Sequence, residues 1–552
     1  MMHLDRRQFL YKTLRNAALA SAAASTLWLP RSAWSQVRIN SNPFTLGIAS
    51  GSPTSDGIVL WTRLAPSGFL GAANLGVDNI TVRWEIAHDE GFTRIVQSGQ
   101  TQALAALAHS VHAEVGGLEG GRAYFYRFMA GGTGGGSASE WTSPVGRTRT
   151  LPGPDANPSR FRIAYASCQR WEHGYYSAYR HMLADEPDLV LFLGDYIYEY
   201  PRAGNAIRTP NATSNGGWTL TLDDNRSRYA LHKSDVDLQA MHAVCPWIFT
   251  WDDHEVQNDY TGLTPGDSGP PVADFAGRRA AAYQVFYEHT PLRASVLTRA
   301  LAGLAAKPAA EMRIYHQLRL GALGSLYMLD ARQYKDPFVC SKAGALGSGT
   351  VNVAQCPAWH DPARTMLGSA QEAWLAQALA RNASASGWQI IGQSSLFAPR
   401  DFRASGAGQT MWNDGWDGYS AARTRLTDAL QQAQSKNAVF LGGDVHENWV
   451  GHVKADFSKP KSRAIATEFC GTSITSRHSE TSNNGKIPER IARNPHFVFA
   501  DVEKRGYGLA DFSAQKLQVS LRTVSDVRSK DASIQTLAQF EVASGKAVVE
   551  RM

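Results

Sequence analysis

The sequence predicts an α/β protein in which a small β-sandwich precedes a larger domain of sheets and helices. Two observations support this class. Between residues 45 and 150, short runs of alternating apolar and polar residues are separated by turns rich in Gly, Pro and Asp, which is typical of an immunoglobulin-like sandwich. From Phe161 onwards, apolar strands alternate with segments of helical spacing, which favours a layered α/β domain of about 350 residues.

Composition and charge exclude several classes of protein. The 552 residues are 43% apolar, enough for a large core, so a disordered or collagen-like chain is excluded. The formal net charge is +6, but residues 1–35 hold five basic residues and one acidic residue, and therefore contribute +4 of it. The remaining charge of +2 gives no basic field, so we expect no specific nucleic-acid partner.

Residues 1–35 are predicted to be a twin-arginine signal peptide. Arg6 and Arg7 are followed by Phe9 and Leu10, and an alanine-rich apolar run at 17–29 is too short to span a bilayer. A twin-arginine signal directs a folded chain to the export machinery. We therefore expect a periplasmic or secreted protein without stable membrane insertion. The alternative is a chance arginine pair in an ordinary amphipathic helix.

The elements of the mature chain are predicted in order. Residues 41–150 form the β-sandwich domain, with strands at 57–62, 80–85 and 122–128, a hairpin tip at 131–136 and a linker at 151–154. Residues 157–515 form the larger domain. Its predicted strands are 161–166, 189–193, 247–250, 389–391 and 438–441, with a hairpin pairing 314–320 and 325–329. Its predicted helices are 175–182, one through 281–286, one starting near 369, and 420–433. Residues 516–552 add a strand at 517–521 and an extension.

Five cysteines are an odd number, so at least one remains outside any disulfide. Cys340 and Cys356 flank a loop rich in Gly, Ser and Ala, and we expect them to form a disulfide in an oxidising compartment. Cys245 and Cys470 are interpreted as buried thiols. Cys168 directly follows a predicted strand and is a candidate metal ligand.

Polar side chains follow four predicted strands at the point where each strand ends. They are Cys168 after the first, Asp195 and Tyr198 after the second, Asp252, Asp253, His254 and Asn258 after the third, and Asp444 and His446 after the fourth. In α/β sheets such positions form the ligand crevice. One aspartate there is commonly a helix cap, but several carboxylates in one crevice repel one another unless cations neutralise them. The pattern predicts a metal site.

Three motifs resemble the signature of calcineurin-like metallophosphoesterases: Gly194-Asp195, Asp252-Asp253-His254-Glu255 and Gly443-Asp444-Val445-His446. The particular residues of these motifs resemble the alkaline phosphatase D (PhoD-like) family, and so do the segments 47–51, 166–169 and 329–334. The resemblance covers about residues 40–530. The resemblance implies a metallophosphoesterase-type sandwich of layered β-sheets flanked by helices, in which 157–515 is the catalytic domain. It also implies iron(III) and calcium as cofactors.

The resemblance places the iron(III) on four residues. These are Cys168, Asp195, Tyr198 and His446. Independently of the family, a thiolate and a phenolate suit a trivalent iron, whereas calcium takes neither thiolate nor imidazole readily. The superfamily usually has a further histidine after the strand at 389–391, where this chain has Gln393 and two serines. An ordinary zinc or manganese pair is therefore not expected.

On the calcium side, Asp253 and Asp444 stand where the wider superfamily has Asn and His, and Asp195 would bridge the two metals. Two additional anionic oxygens favour a hard cation such as calcium. Asp252 and Asn258 are further oxygen donors, and spacing does not decide between them.

The expected activity is hydrolysis of phosphomonoesters and phosphodiesters by attack of a metal-activated hydroxide or oxide. His254 is a candidate to protonate the leaving alkoxide or to orient Asp253, with a structural role as the alternative. Arg332 is a candidate to clamp a phosphate oxygen, with a surface ion pair as the alternative. Cys168 as a nucleophile is the second interpretation of that residue. Alternative functions are a phospholipase-type diesterase with little monoesterase activity and an exported, non-catalytic phosphate-binding metalloprotein.

Overall fold

A computed structural model describes residues 39–66, 75–131, 140–201, 204–209, 217–297, 311–342, 344–382, 387–402, 408–459, 461–477 and 483–552. The signal peptide predicted at 1–35 and residues 132–136 of the predicted hairpin tip lie outside these ranges. No helix in the described ranges is long and apolar enough to cross a membrane.

The described residues form 24 strands. In chain order they are β1 (Ile48–Gly51), β2 (Ile58–Arg63), β3 (Ile80–Ala87), β4 (Ile95–Ala103), β5 (Ser110–Val115), β6 (Ala123–Ala130), β7 (Trp141–Thr142), β8 (Gly146–Arg149), β9 (Phe161–Ala166), β10 (Leu189–Leu193), β11 (Pro246–Thr250), β12 (His316–Arg319), β13 (Gly324–Met328), β14 (Thr350–Asn352), β15 (Trp388–Gly392), β16 (Thr410–Trp412), β17 (Ala438–Gly442), β18 (Asn448–Lys454), β19 (Ala464–Cys470), β20 (Phe497–Asp501), β21 (Arg505–Phe512), β22 (Lys516–Val524), β23 (Ile534–Ala543) and β24 (Val549–Arg551).

Seven α-helices lie within the described ranges. They are α1 (Ser177–Ala184), α2 (Leu222–Lys233), α3 (Val236–Val244), α4 (Phe275–His289), α5 (Ser369–Arg381), α6 (Ser420–Gln432) and α7 (Ile487–Arg493). Local sequence explains where several of them begin. Thr221 and Asp224 form a capping box at the start of α2, and the side chains of Asp235 and Asp274 cap α3 and α4.

Two large sheets contain most of the described strands. The first has ten strands in the order β24-β23-β22-β21-β9-β10-β11-β1-β2-β5, of which β9, β10, β11 and β1 are parallel neighbours. The second has seven strands in the order β12-β13-β15-β17-β19-β18-β20, with β13, β15, β17 and β19 parallel. The structure is thus mixed α/β with large sheets, as the sequence predicts.

The sheets pack face to face with helices outside them. Along β10, Leu189 and Leu191 belong to the core between the sheets, whereas Val190 and Phe192 belong to the core beneath α1, α3 and α4. This alternation is the two-residue period of a strand, and because both faces are covered the strand is apolar throughout. On the far side of the second sheet, Tyr327 and Phe440 pack against α5 and α6.

The strands of residues 45–150 are divided between two sheets. β3, β4, β6, β7 and β8 form a five-stranded sheet, while β1, β2 and β5 belong to the ten-stranded sheet. The junction is the parallel pairing of β1 with β11, where Ser50 faces Pro246 and Gly51 faces Trp247. From the sequence, all these strands were expected to form one separate domain. The junction was not predicted because the pairing spans almost 200 residues and leaves no local pattern.

Most of the predicted strands and helices agree with the structure to within two residues, and the hairpin of β12 with β13 is present. The sequence predicted one strand after residue 515, but the structure has three there. β22, β23 and β24 all extend the ten-stranded sheet. The structure joins Cys340 to Cys356 by a disulfide, and Cys168, Cys245 and Cys470 are buried free thiols.

Candidate metal centre

The candidate centre lies where the carboxyl ends of parallel strands from both large sheets meet. Cys168, Asp195 and Asp252 each lie two residues beyond the ends of β9, β10 and β11, which are adjacent in the first sheet. Asp444 lies two residues beyond β17 of the second sheet. The arrangement follows the rule that the carboxyl ends of parallel strands form the ligand crevice.

Glycines allow the strand ends to approach closely. A Cβ atom on Gly194, whose φ is +100°, would lie 2.6 Å from Asp252 Cβ. A Cβ on Gly443 would lie 2.4 Å from Ser167 Oγ, across the gap between the two sheets. Because real Cβ atoms do not come this close, the two glycines of the Gly-Asp motifs bring the neighbouring strand ends together.

Four candidate ligands have left-handed backbone conformations. The φ values are 58° for Cys168 and Asp195, 68° for Asp444 and 56° for His446. This conformation costs a non-glycine residue roughly 1–2 kcal/mol and persists only where the surroundings enforce it. The chain therefore turns sharply at the ends of three strands, and the side chains gather at one point.

The four residues predicted to hold iron lie together. Ligand atoms of Cys168, Asp195 and His446 lie within 4.8 Å of one another. The Tyr198 hydroxyl donates a hydrogen bond to Asp195 Oδ2 at 2.9 Å and lies 3.1 Å from His446 Nε2. Ser476 Oγ donates to the same hydroxyl at 2.8 Å, which fixes the ring. One thiol, one carboxylate, one phenol and one imidazole therefore converge.

The orientation of His446 leaves one ring nitrogen available. Its Nδ1 lies 2.6 Å from the Arg477 carbonyl oxygen, which requires Nδ1 to carry the proton and donate it. Burial and the nearby Arg505 lower the pKa of His446 to about 3, so the ring is neutral. A neutral imidazole whose far nitrogen is held by a carbonyl is the usual form of a metal-binding histidine.

A second group shares Asp195 with the first. Ligand atoms of Asp195, Asp253 and His254 lie within 4.8 Å of one another. His254 Nδ1 lies 2.7 Å from Glu199 Oε2, and the other Glu199 oxygen accepts the Asn258 backbone N–H at 2.7 Å. Burial alone would lower the pKa of His254, but the carboxylates of Asp195 and Glu199 outweigh it and raise the pKa well above its ordinary value. Glu199 thus holds the ring in place through Nδ1.

Glu255 positions the strand ends, a role that the sequence analysis did not assign. Its carboxylate accepts the backbone N–H groups of Asp195 at 3.2 Å, Tyr196 at 2.6 Å and Asp252 at 2.9 Å. Glu255 is fully enclosed, and burial raises its pKa to about 7. One side chain thereby fixes the loops after β10 and β11. Its place in the Asp-Asp-His-Glu motif was the available signal.

A third group contains two carboxylates that were not among the predicted ligands. Ligand atoms of Asp253, Asp259 and Asp414 lie within 4.8 Å of one another. The Asp259 N–H donates to Asp253 Oδ2 at 2.8 Å, while Asp414 comes from the distant segment after β16. Asp259 follows Asn258 in the third motif and could have been included, but no local pattern marks Asp414.

Arg332 lies inside the candidate centre and not at the surface of the protein. It is 1% exposed, so the surface ion pair is wrong. Its Nη1 and Nη2 donate to the two oxygens of Asp414 at 2.6 and 2.7 Å, and its Nε donates to Asp252. The guanidinium of Arg332 therefore lies among the carboxylates of the centre, and its contact with a phosphate oxygen stays a prediction. Lys335 joins the same network at 2.6 Å from Asp414.

The other predicted oxygen donors differ in burial and in their hydrogen-bond partners. Asp252 is buried and bonded to Arg332 through one oxygen. Asp444 is half-buried, accepts a hydrogen bond from Ser395 Oγ at 3.1 Å and falls outside the three groups above. The half-buried Asn258 contacts Glu199 through its backbone N–H.

The electrostatics of this cluster call for cations. Burial and neighbouring carboxylates raise the pKa of Asp252 and Asp259 to about 6 and hold those of Asp195 and Asp444 well above the ordinary value. Among the described residues, none donates a hydrogen bond to three of the buried carboxylate oxygens. These oxygens are Asp195 Oδ1, Asp252 Oδ2 and Asp253 Oδ1. Buried carboxylate oxygens without donors are costly unless cations bind them, so the residues present fit a metal centre.

Comparison with known proteins agrees with this geometry. Residues 163–521 match the PhoD-like phosphatase family, and residues 31–152 match the N-terminal domain of PhoD-like phosphatases. The chain is 40% identical over 502 residues to alkaline phosphatase D of Bacillus subtilis (strain 168). The aligned region covers 91% of this chain and 81% of that protein. A solved structure of PhoD superposes with a TM-score of 0.82 at 38% identity and covers 93% of each chain. The resemblance noted in the sequence is therefore confirmed, and the chain belongs to the PhoD-like phosphatase family of phosphate-ester hydrolases.

Proposed function

We propose that the chain hydrolyses phosphate esters with iron(III) and calcium bound at the junction of the two sheets. The observation that carries the proposal is the convergence of Cys168, Asp195, Tyr198 and His446 beside three carboxylate oxygens to which no described residue donates a hydrogen bond. The family supports the reaction. The donor set supports the metals, because it divides into a part with sulfur and nitrogen and a part with oxygen alone.

Iron(III) would be held by the thiolate of Cys168, the phenolate of Tyr198, the carboxylate of Asp195 and Nε2 of His446. Calcium would be held on the oxygen-rich side, with Asp195 shared between the two positions. Asp252, Asp253 and Asp444 are the carboxylates proposed for that side, and Asp259 adds a further oxygen at the same edge.

Bound cations would neutralise the phosphoryl oxygens and lower the pKa of a water molecule to the neutral range. The protein's own contribution is orientation and proton transfer. Glu199 fixes His254 through Nδ1, so a protonated ring can give its other proton to the leaving oxygen. Arg332 and Lys335 hold Asp414 and Asp252, so we now propose for Arg332 a positioning role within the site.

A direct test separates hydrolysis from simple binding of phosphate groups. We expect sustained release of an aryl alcohol from an aryl phosphate monoester and from the corresponding diester, abolished by a chelator and restored by metal. Binding of phosphate without turnover would contradict the proposed function. The ratio of the two rates measures the preference between monoesters and diesters, including the phospholipase-type extreme.

Replacing Asp444 by asparagine is expected to lower kcat roughly 10–100-fold and to raise the calcium concentration needed for half-maximal activity, since one anionic oxygen is lost from the hard-cation side. The measurement is turnover across a calcium titration, and KM is expected to change less than kcat. The matched control is Asp428→Asn, at an exposed aspartate of α6. A mutant with wild-type turnover, together with a wild type indifferent to calcium chelation, would exclude calcium in favour of a pair of transition metals.

We also propose export through the twin-arginine route, a periplasmic or secreted location, and an immunoglobulin-like sandwich for residues 41–150. The paired Arg6 and Arg7 support export. The sandwich is supported by one apolar core in which Ile58 and Val111 of the ten-stranded sheet pack with Val82 and Phe128 of the five-stranded sheet.

Replacing Arg6 and Arg7 by lysine is expected to leave the precursor in the cytoplasm. Lysine keeps the positive charge, but the export machinery requires the arginine pair. Cell fractionation with immunodetection of precursor and mature chain is the measurement. Arg15→Lys is the matched control. Undiminished activity outside the cytoplasm in the double variant would rule out this route.

A further inference from the structure

The loop closed by the Cys340–Cys356 disulfide lies against the oxygen-rich side of the site. The two cysteines are 16 positions apart, and the intervening segment 341–355 contains three glycines. Cys340 is exposed, whereas Cys356 is buried among Val351, Trp359 and Met411. A segment this rich in glycine loses much conformational entropy when it is ordered, and the disulfide reduces that loss by restricting the unfolded loop.

One contact of this loop reaches a site carboxylate directly. The Ser348 N–H and Oγ both donate to Asp259 Oδ2, each at 2.9 Å. Asp259 in turn donates its backbone N–H to Asp253, whose other oxygen has no donor among the described residues. The loop therefore orients two carboxylates at the candidate centre. Asp267 steadies the loop by accepting the N–H groups of Leu346 and Gly347 at 2.7 Å each.

A second contact reaches the site through Asn413. β14 of the loop pairs with β16, and just beyond these strands Gly349 and Asn413 are joined by two hydrogen bonds of 2.6 and 3.1 Å. The next residue is Asp414, which binds Arg332 through both oxygens. The position of Asp414, and through Arg332 that of Asp252, thus depends on the same loop.

We propose that the Cys340–Cys356 disulfide positions the carboxylates of Asp259 and Asp414, so that the cation affinity of the site falls when the disulfide is opened. The inference rests on the proposed metal-dependent function and assigns Ser348 as a positioning residue within it. Partners of this kind, one bond removed from a metal ligand, change metal affinity when they are lost.

Opening the disulfide is a two-electron reduction. A dithiol such as dithiothreitol breaks the Sγ–Sγ bond, supplies two electrons and two protons to give the thiols of Cys340 and Cys356, and is itself oxidised to its cyclic disulfide. Because Cys340 is an exposed residue and Cys356 is buried, we expect the attack at the Cys340 sulfur.

The experiment measures the increase in Tm as calcium is titrated into the full-length protein. For Cys340→Ser we expect the calcium midpoint to rise roughly tenfold, and for Ser348→Ala to rise less because the backbone bond to Asp259 remains. Visible absorption from the iron position should be unchanged in both variants, which shows that the fold is intact. Cys245→Ser, at a buried thiol without a disulfide, is the matched control and should keep the wild-type midpoint.

Treatment with dithiothreitol is a second test of the inference. It should shift the wild-type midpoint to the value of Cys340→Ser and leave that variant unchanged, since any direct effect on bound metal would act on both proteins. A Cys340→Ser midpoint within about twofold of wild type would overturn the inference while leaving the proposed function standing. If calcium changes neither the Tm nor the turnover of the wild-type protein, both the calcium proposal and this inference are overturned.

Discussion

Replacing Asp195 by asparagine is expected to lower kcat by about three orders of magnitude, the largest effect of any single change at the centre. Asp195 belongs both to the group with Cys168 and His446 and to the group with Asp253 and His254. Removing its charge weakens both cation positions at once. A loss of about 4 kcal/mol of transition-state stabilisation corresponds to roughly a thousandfold in rate.

The asparagine variant is expected to keep its fold, because the Asp195 backbone N–H remains bound to Glu255 and its carbonyl oxygen to the Gln169 N–H. Steady-state kinetics with a saturating aryl phosphate gives kcat, and elemental analysis gives the metal content per chain. Asp531→Asn, at a side chain that is 94% exposed, is the matched control. Wild-type turnover and metal content in Asp195→Asn would refute the shared-ligand role.

Cys168→Ser and Tyr198→Phe are each expected to remove part of a visible absorption band and to lower kcat at least about 100-fold. Thiolate and phenolate donors on iron(III) give charge-transfer absorption, so the purified protein should be coloured. Serine is a poorer donor than a thiolate at this position, and phenylalanine removes the hydroxyl that lies 2.9 Å from Asp195 and 3.1 Å from His446.

Matched controls exist for both substitutions. Cys245→Ser changes a buried thiol in the core beside α3, and Tyr229→Phe removes a buried hydroxyl for which the described residues offer no hydrogen-bond partner. Both should retain the colour and the turnover. A colourless, fully active enzyme that contains only zinc would refute the iron assignment.

The sequence predicted much of the candidate centre because the main candidate ligands follow strands that can be recognised locally. Leu189–Leu193 is an uninterrupted apolar run, and the residue two places beyond it is Asp195. Once β9, β10, β11 and β17 are recognised as parallel strands, the meeting of Cys168, Asp195, Asp252 and Asp444 at one edge follows from geometry alone.

Other contacts depend on pairings that no local pattern encodes. Asp414 lies in a loop with the composition of an ordinary surface turn, and its carboxylate contacts Arg332, which is 82 positions away along the chain. The sequence also did not show that Asp414 and Asp252 bind the guanidinium of Arg332, because no local pattern links these three residues. The pairing of β1 with β11 was missed for the same reason.

The ten-stranded sheet determines when the enzyme can complete its fold. Its centre, β9, bonds on one side to β10, which is made soon afterwards, but on the other side to β21, where Phe161 faces Phe512. Until nearly the whole chain has left the ribosome, β9 remains an unpaired edge that invites association with other chains. A nascent chain must therefore be shielded through most of its synthesis, and its catalytic edge is assembled only after translation is almost finished.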